Sequence, residues 1–372
     1  LFTHLVYTPS QALTVLFFLF VGLFVASLSH LSSAKSTVIN LVDAPRVLFA
    51  FVLGGLMVLL VGISALYGVG RVYASSIIHN RAIQVAQEGD TERALSLITR
   101  ATSLDAQDRY FRSAAFIYID RVDALIRSNE NSEATQQAFQ NAVAGAVQNT
   151  GRALAQHPVR FENLMARGLV YAQVVPLGVE GALENGVAVY EEARKVNPFD
   201  PEVDWRIAQM YAAVGNAVAA EEAITTALSK KADYTPAILL RAQMALDGGD
   251  LDEAIVSVKN AVYFEPNNEI LLYQLGILLL QDASYVDAAT AFELALQQRP
   301  DFANATFFLA QAYAFLEKFD EAKTLIDRLS RENPDQVELQ NHSTQLQGGV
   351  NPFAVAPTAP EEEETTLGEV VE

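Results

Sequence analysis

Between residues 201 and 336 the chain repeats itself every 34 residues without a gap. One column of the repeat reads Ala208, Ala242, Gly276 and Ala310, and a second reads Ala220, Ala254, Ala288 and Ala322. A third reads Ile224, Val258, Phe292 and Ile326, and a fourth Ala227, Ala261, Ala295 and Leu329. The last holds Ala232, Pro266, Pro300 and Pro334. A unit this short cannot bury its own apolar faces, so several units must stack, each covering the next.

Within each unit apolar residues recur at spacings of three and four, which predicts two amphipathic helices. Between the two helices stand Gly215-Asn216 and Gly249-Asp250, a helix stop followed by a residue able to cap the next helix. The unit is therefore expected to be an antiparallel helical hairpin, and the fold all-α. Alanine at 288 and 295 fits helices that cross closely, where a large side chain would push the axes apart. Phe292 then fills the space beside them. Pro300 lacks an N–H and disfavours helix at the residue before it, so it ends the second helix and turns the chain into the next unit.

With these columns in view, the pattern resembles the tetratricopeptide repeat, in which positions 8, 20 and 27 are small, position 24 is large and apolar, and position 32 is proline. Four units fit without gaps at 201–234, 235–268, 269–302 and 303–336. A fifth fits 75–108, with Ala82, Gly89, Ala94, Ile98 and Ala101 in matching places. Residues 109–160 and 161–200 read as degenerate units. The second keeps Gly168, Tyr171, Tyr190, Ala193 and Pro198 around an insertion near "PLGVEG". The resemblance implies an α-solenoid coiled as a right-handed superhelix, whose first helices line a concave face that binds an extended peptide or protein partner. By position, the fifth residues, Trp205, Leu239, Tyr273 and Phe307, and the ninth, Gln209, Gln243, Ile277 and Gln311, would line that groove. Aromatic faces and amides suit a peptide. The competing use of the large fifth residues is packing between adjacent repeats. A last helix over Gln336–Gln347 would cap the array.

The start of the chain is of another kind. No Asp, Glu, Lys or Arg occurs in 5–34 or in 47–70. About 20 apolar residues suffice for a helix to cross a bilayer, where only a helix satisfies its own backbone. Residues 1–72 are thus expected to be a transmembrane helical hairpin in a multi-pass protein, with the lipid bilayer as a partner. Gly22, Ala26, Gly54, Gly55 and Gly62 would allow close approach of further transmembrane helices. Lys35 and Arg46 in the connector place it on the cytoplasmic side, and so the array at 73–347 outside. Leu1 with no basic region before the apolar run argues against a cleavable signal peptide and for a piece of a longer protein. Residues 348–372, with Gly, Pro and Glu361–Glu364, read as a disordered acidic tail.

Charge and motif content narrow the function. The chain has 25 basic residues against 44 acidic ones, net −19, which makes nucleic acid a poor partner. It has no cysteine, hence no disulfide, thiolate site or cysteine nucleophile. Five histidines, at 4, 30, 79, 157 and 342, show no ligand spacing, so no metal is expected. "GVGRVY" at 68–73 follows an apolar helix rather than a strand and is no phosphate loop, and no Walker or G-x-S-x-G pattern occurs. No cofactor and no catalytic residue is proposed. An apolar hairpin leading directly into such repeats is also similar in layout to the C-terminal part of bacterial O-antigen ligase and polymerase-like proteins. That resemblance implies a bacterial-type cell membrane and an accessory role beside a glycan-transferring core upstream of Leu1. Its catalytic basic residues match no position here.

Overall fold

The computed structural model describes residues 20, 22, 45–128, 130 and 132–354, and among these all regular structure is helical. The first expected membrane segment therefore falls outside the described residues, apart from Phe20 and Gly22, which are helical. So does the chain beyond residue 354. Contacts divide the chain into two compact units, 1–70 and 71–372.

In the first unit the described structure, Phe20 and Gly22 apart, is the leading part of α1 (Pro45–Gln87), a continuous helix of 43 residues. Its most apolar stretch has none of its side chains buried, and by length and composition α1 can cross a membrane. From Arg71 onward the helix belongs to the second unit, and its buried residues, Ser75, Ala82 and Val85, all lie there. The second unit continues with α2 (Thr91–Leu104), α3 (Asp108–Arg127), α4 (Glu133–Gln156), α5 (Phe161–Val174) and α6 (Ala182–Val196). Then come α7 (Pro201–Ala213), α8 (Ala217–Lys230), α9 (Thr235–Asp247), α10 (Leu251–Phe264), α11 (Glu269–Gln281) and α12 (Tyr285–Gln298). The last three are α13 (Ala303–Phe315), α14 (Phe319–Glu332) and α15 (Val337–Gln347). From α2 to α15 each helix packs on the next in sequence, which is the contact pattern of a stack of hairpins.

The small columns sit where helices cross. Ala208, Ala242, Ala310, Ala220, Ala254, Ala288, Ala322, Ala227, Ala261 and Ala295 have no exposed surface. Large and small residues are matched across the crossing. Where the second helix brings Ile224, Val258 or Ile326, the first presents alanine; where it brings Phe292 or Tyr190, the first presents Gly276 or Gly168. A Cβ built on Gly276 would lie 2.5 Å from the Phe292 ring, and one on Gly168 would lie 2.4 Å from the Tyr190 ring. Glycine there keeps the interior close-packed without strain.

The turn inside each 34-residue hairpin takes one left-handed residue. Gly89, Gly215 and Gly249 supply it at φ +87°, +73° and +77°, whereas Ala283 and Glu317 adopt φ 58° and 60° at the equivalent places. Asp90, Asn216 and Asp250 follow and accept from the backbone N–H three residues on, so each starts the next helix.

Two ionic nodes tie the irregular part together. Asp108 is buried at the start of α3 and pairs with Arg112 (3.0 Å) and with Arg160 (2.7 Å) of the α4–α5 turn. Arg112 also donates to Asn163 Oδ1, and Asn163 Nδ2 donates to the carbonyls of Ala153 (2.9 Å) and His157 (3.1 Å). Farther on, Asp204 has no exposed surface and lies between Arg194 (2.7 Å) and Lys230, at the position that holds Ile238 and Leu272 in the next two repeats. Beyond α14, Leu339 and Leu346 of α15 cover the core of the last repeat. Residues 348–354, expected within a disordered tail, instead fold back on α15. Gly349 takes φ +68° and Phe353 packs on that same core.

Candidate partner-binding groove

The expected groove residues all lie on first helices, α7, α9, α11 and α13, because the repeat places positions five and nine there. Four residues apart on a helix, they share a face. Their surroundings differ from rung to rung.

On α7 the rung is one connected polar–aromatic set. Trp205 is partly exposed, meets Tyr234 edge-on at 6.1 Å, and has the Arg206 guanidinium 4.4 Å from its ring centre. Arg206 is held from both sides, by Glu202 (3.1 Å) and by Gln209 Oε1 (3.4 Å), which leaves the amide N–H groups of Gln209 as donors. On α9, Leu239 is buried in the core shared with Ile238 and Leu271, while Gln243 stays partly exposed and donates to Asp247 Oδ1 at 2.8 Å.

On α11, Tyr273 sits among Phe302 (4.9 Å), Phe308 (5.9 Å) and Phe292 (6.0 Å), an aromatic cluster joining two repeats. Ile277 packs at the edge of the same core and is partly exposed. On α13, Phe307 meets Phe308 at 5.5 Å, His342 at 6.2 Å and Phe353 at 5.6 Å, and Gln311 is partly exposed. Leu239, Tyr273 and Phe307 thus spend much of their surface on packing between repeats. Trp205, Gln209, Gln243, Ile277 and Gln311 are each partly exposed.

Three neighbours escaped the sequence reading. Arg206 and Glu202 carry no columnar signal, because no other repeat has a charged residue at both places. Tyr234 ends its unit just outside the ladder. Its hydroxyl is pushed up to about 12 by burial and by the Glu202 carboxylate, and burial alone raises Tyr273. Both phenols therefore remain neutral near pH 7. A shallow hollow of about 510 Å³ lies away from the ladder, at the α10–α11 turn, lined by Glu265, Pro266 and Asn268 among others. Among the described residues no group of His, Asp and Glu side chains is placed to hold a metal. The face offers aromatic surface and amide hydrogen-bond groups, the chemistry of holding an extended backbone.

Residues 279–346 match the family model described as tetratricopeptide repeat. One curated relative, BBSome complex member BBS4 of Mus musculus, is 37% identical over 94 residues; the match takes in 25% of this chain and 18% of that protein's length. Among solved structures the chain is similar to a thermophilic TPR protein of Thermus thermophilus, at 21% identity and TM-score 0.40, covering 55% of this chain and 99% of that one. It is also similar to a tetratricopeptide repeat protein from Parabacteroides merdae, at 14% identity and TM-score 0.41, covering 74% of this chain and 99% of that one. The family match runs from the last turn of α11 through α15, and helical hairpins at the same 34-residue spacing precede it in the chain.

Proposed function

We propose that the chain is a membrane-tethered scaffold: residues 1–72 anchor it in a lipid bilayer, and the array at 73–347 holds an extended segment of a protein partner along its first helices. The observation that carries this reading is the ladder of partly exposed amides, Gln209, Gln243 and Gln311, recurring at the repeat spacing beside Trp205 and Ile277. Amide side chains in register can hydrogen-bond an extended backbone, and the apolar rungs between them accept alternate side chains. Anchoring is supported by the apolar, uncovered leading part of α1. The positive charge of the connector favours an array outside the cytoplasm.

The test is capture of partners by a Trp205→Ala, Gln243→Ala chain whose helical content matches the wild type. Loss of the specific partner supports the groove; undiminished capture overturns it. Resistance to alkaline extraction from membranes, and protease protection in sealed vesicles, test the anchor and its orientation. A second reading makes the array an accessory module of an O-antigen ligase-like enzyme, on the ground that α1 runs from apolar segment into repeat without a break. A glycan-transfer assay on the full-length gene product decides it.

A further inference from the structure

The chain beyond α15 does not simply leave the array. The Gly348 N–H donates to the Gln345 carbonyl (3.0 Å), Gly349 turns left-handed at φ +68°, and the Val350 N–H returns to the Gln345 carbonyl (3.0 Å). This reverses the chain along the helix it has just left. Asn351 Oδ1 then accepts from the Phe353 N–H at 2.9 Å, which fixes the bend. The result is a three-ring cluster: Phe353 stands edge-on to Phe307 at 5.6 Å and 88°, and its centre is 5.0 Å from that of His342. His342 itself lies 6.2 Å from Phe307.

His342 is the odd member. Its Nδ1 is buried and has no hydrogen-bond partner among the described residues. A neutral imidazole tolerates that position, but an imidazolium puts a charged N–H into it without an acceptor. We infer that residues 348–354 form a latch closed in cis, in which Phe353 covers Phe307 while His342 is neutral and lets go when His342 takes a proton.

The charged surroundings do not supply a substitute partner. On α15, Glu338 stands one turn before His342 and raises its affinity for a proton, but burial outweighs it and holds the imidazole below 6.5. From α13 the neighbour is Phe307, and from the fold-back Phe353; both are uncharged. From α14, Asp327 is already paired with Lys323 at 2.6 Å and accepts from Ser343, the residue next to His342. Because the packed form prefers neutral His342, the latch is fully closed above the ordinary imidazole value and loosens as pH falls below it. The consequence for binding rests on the groove reading above: release bares the face of Phe307 at the end of the ladder.

The test uses the full chain with 4-fluorophenylalanine in place of Phe353, followed by fluorine NMR from about pH 8 to about pH 5, the range in which imidazoles change charge. A resonance that moves from a packed to a solvent-exposed position, with a midpoint below 6.5, supports the latch, provided that His342→Phe abolishes the movement. A resonance that stays fixed over the range, one already solvent-exposed at the upper end, or the same transition in His342→Phe overturns it. The readout is the environment of one ring, so failure of the groove leaves it unaffected.

Discussion

Replacing Gly276 by alanine tests the matching of small to large across the helix crossing. The added methyl would lie 2.5, 2.6 and 2.8 Å from three atoms of the Phe292 ring, where ordinary contact begins at 3.4 Å. The ring must therefore retreat by nearly an ångström. It has little room, having no exposed surface and lying against Tyr273 (6.0 Å) and Phe308 (6.1 Å). Overpacking of this kind costs about 1–3 kcal/mol, against which alanine in a helix interior gains about 0.5–1 kcal/mol over glycine. The expected net loss is about 1–2 kcal/mol. Because a stacked array opens locally, the measure is amide exchange in α11 and α12, where protection should fall about 5- to 30-fold. The same substitution in a Phe292→Val background, which copies the Ala242/Val258 pair, should cost nothing or stabilise. Equal effects in both backgrounds would refute the matching.

Asp108→Asn should lower the thermal stability of the α3–α5 region by about 1–3 kcal/mol at pH 7, below the figure for a fully buried pair because Arg160 is exposed. Burial opposes ionisation of Asp108, but Asn163, Arg112 and Arg160 outweigh it and hold the carboxyl below 3.8. The wild-type advantage is therefore complete above that value and disappears as acid protonates the folded carboxyl, so melting curves of the two chains should converge at low pH; parallel curves would contradict it. Ala283→Gly should stabilise by about 0.5–1 kcal/mol, since a left-handed alanine costs roughly 1–2 kcal/mol and glycine returns part of that as chain entropy. Slower exchange in α12 checks it, and faster exchange counts against it. Tyr190→Phe should raise stability by about 1 kcal/mol, because its buried hydroxyl has no partner among the described residues; a loss on denaturant unfolding would reveal a missed hydrogen bond.

What the sequence made legible is whatever recurs. The alanine columns and the proline that ends three of the four units imply crossing hairpins, because side-chain size in register leaves few other packings. Gly276 opposite Phe292 is visible only once the hairpin is known, since glycine alone reads as a turn. Unique residues were opaque for the same reason. Asp204 occupies a core position in a helix of ordinary pattern, and its partners Arg194 and Lys230 lie on two other helices. Asp108 finds Arg160 52 residues away inside the degenerate units, where no period guides the eye. Phe307 fits a groove position by register, yet its ring is used by His342 and by Phe353, which folds back from a segment of tail-like composition. Gly215 and Gly249 mark helix stops in the sequence, and nothing in Ala283 or Glu317 announces the left-handed backbone that these two share with them.

Photo-crosslinking from single sites in native membranes tests the scaffold reading most directly. A photoreactive residue at Gln209, Gln243 or Gln311 should trap the same partner, while one at Val218, Val256 or Val286, exposed on the second helices, should not. Adducts of equal yield from both sets, or from the second set alone, would contradict it.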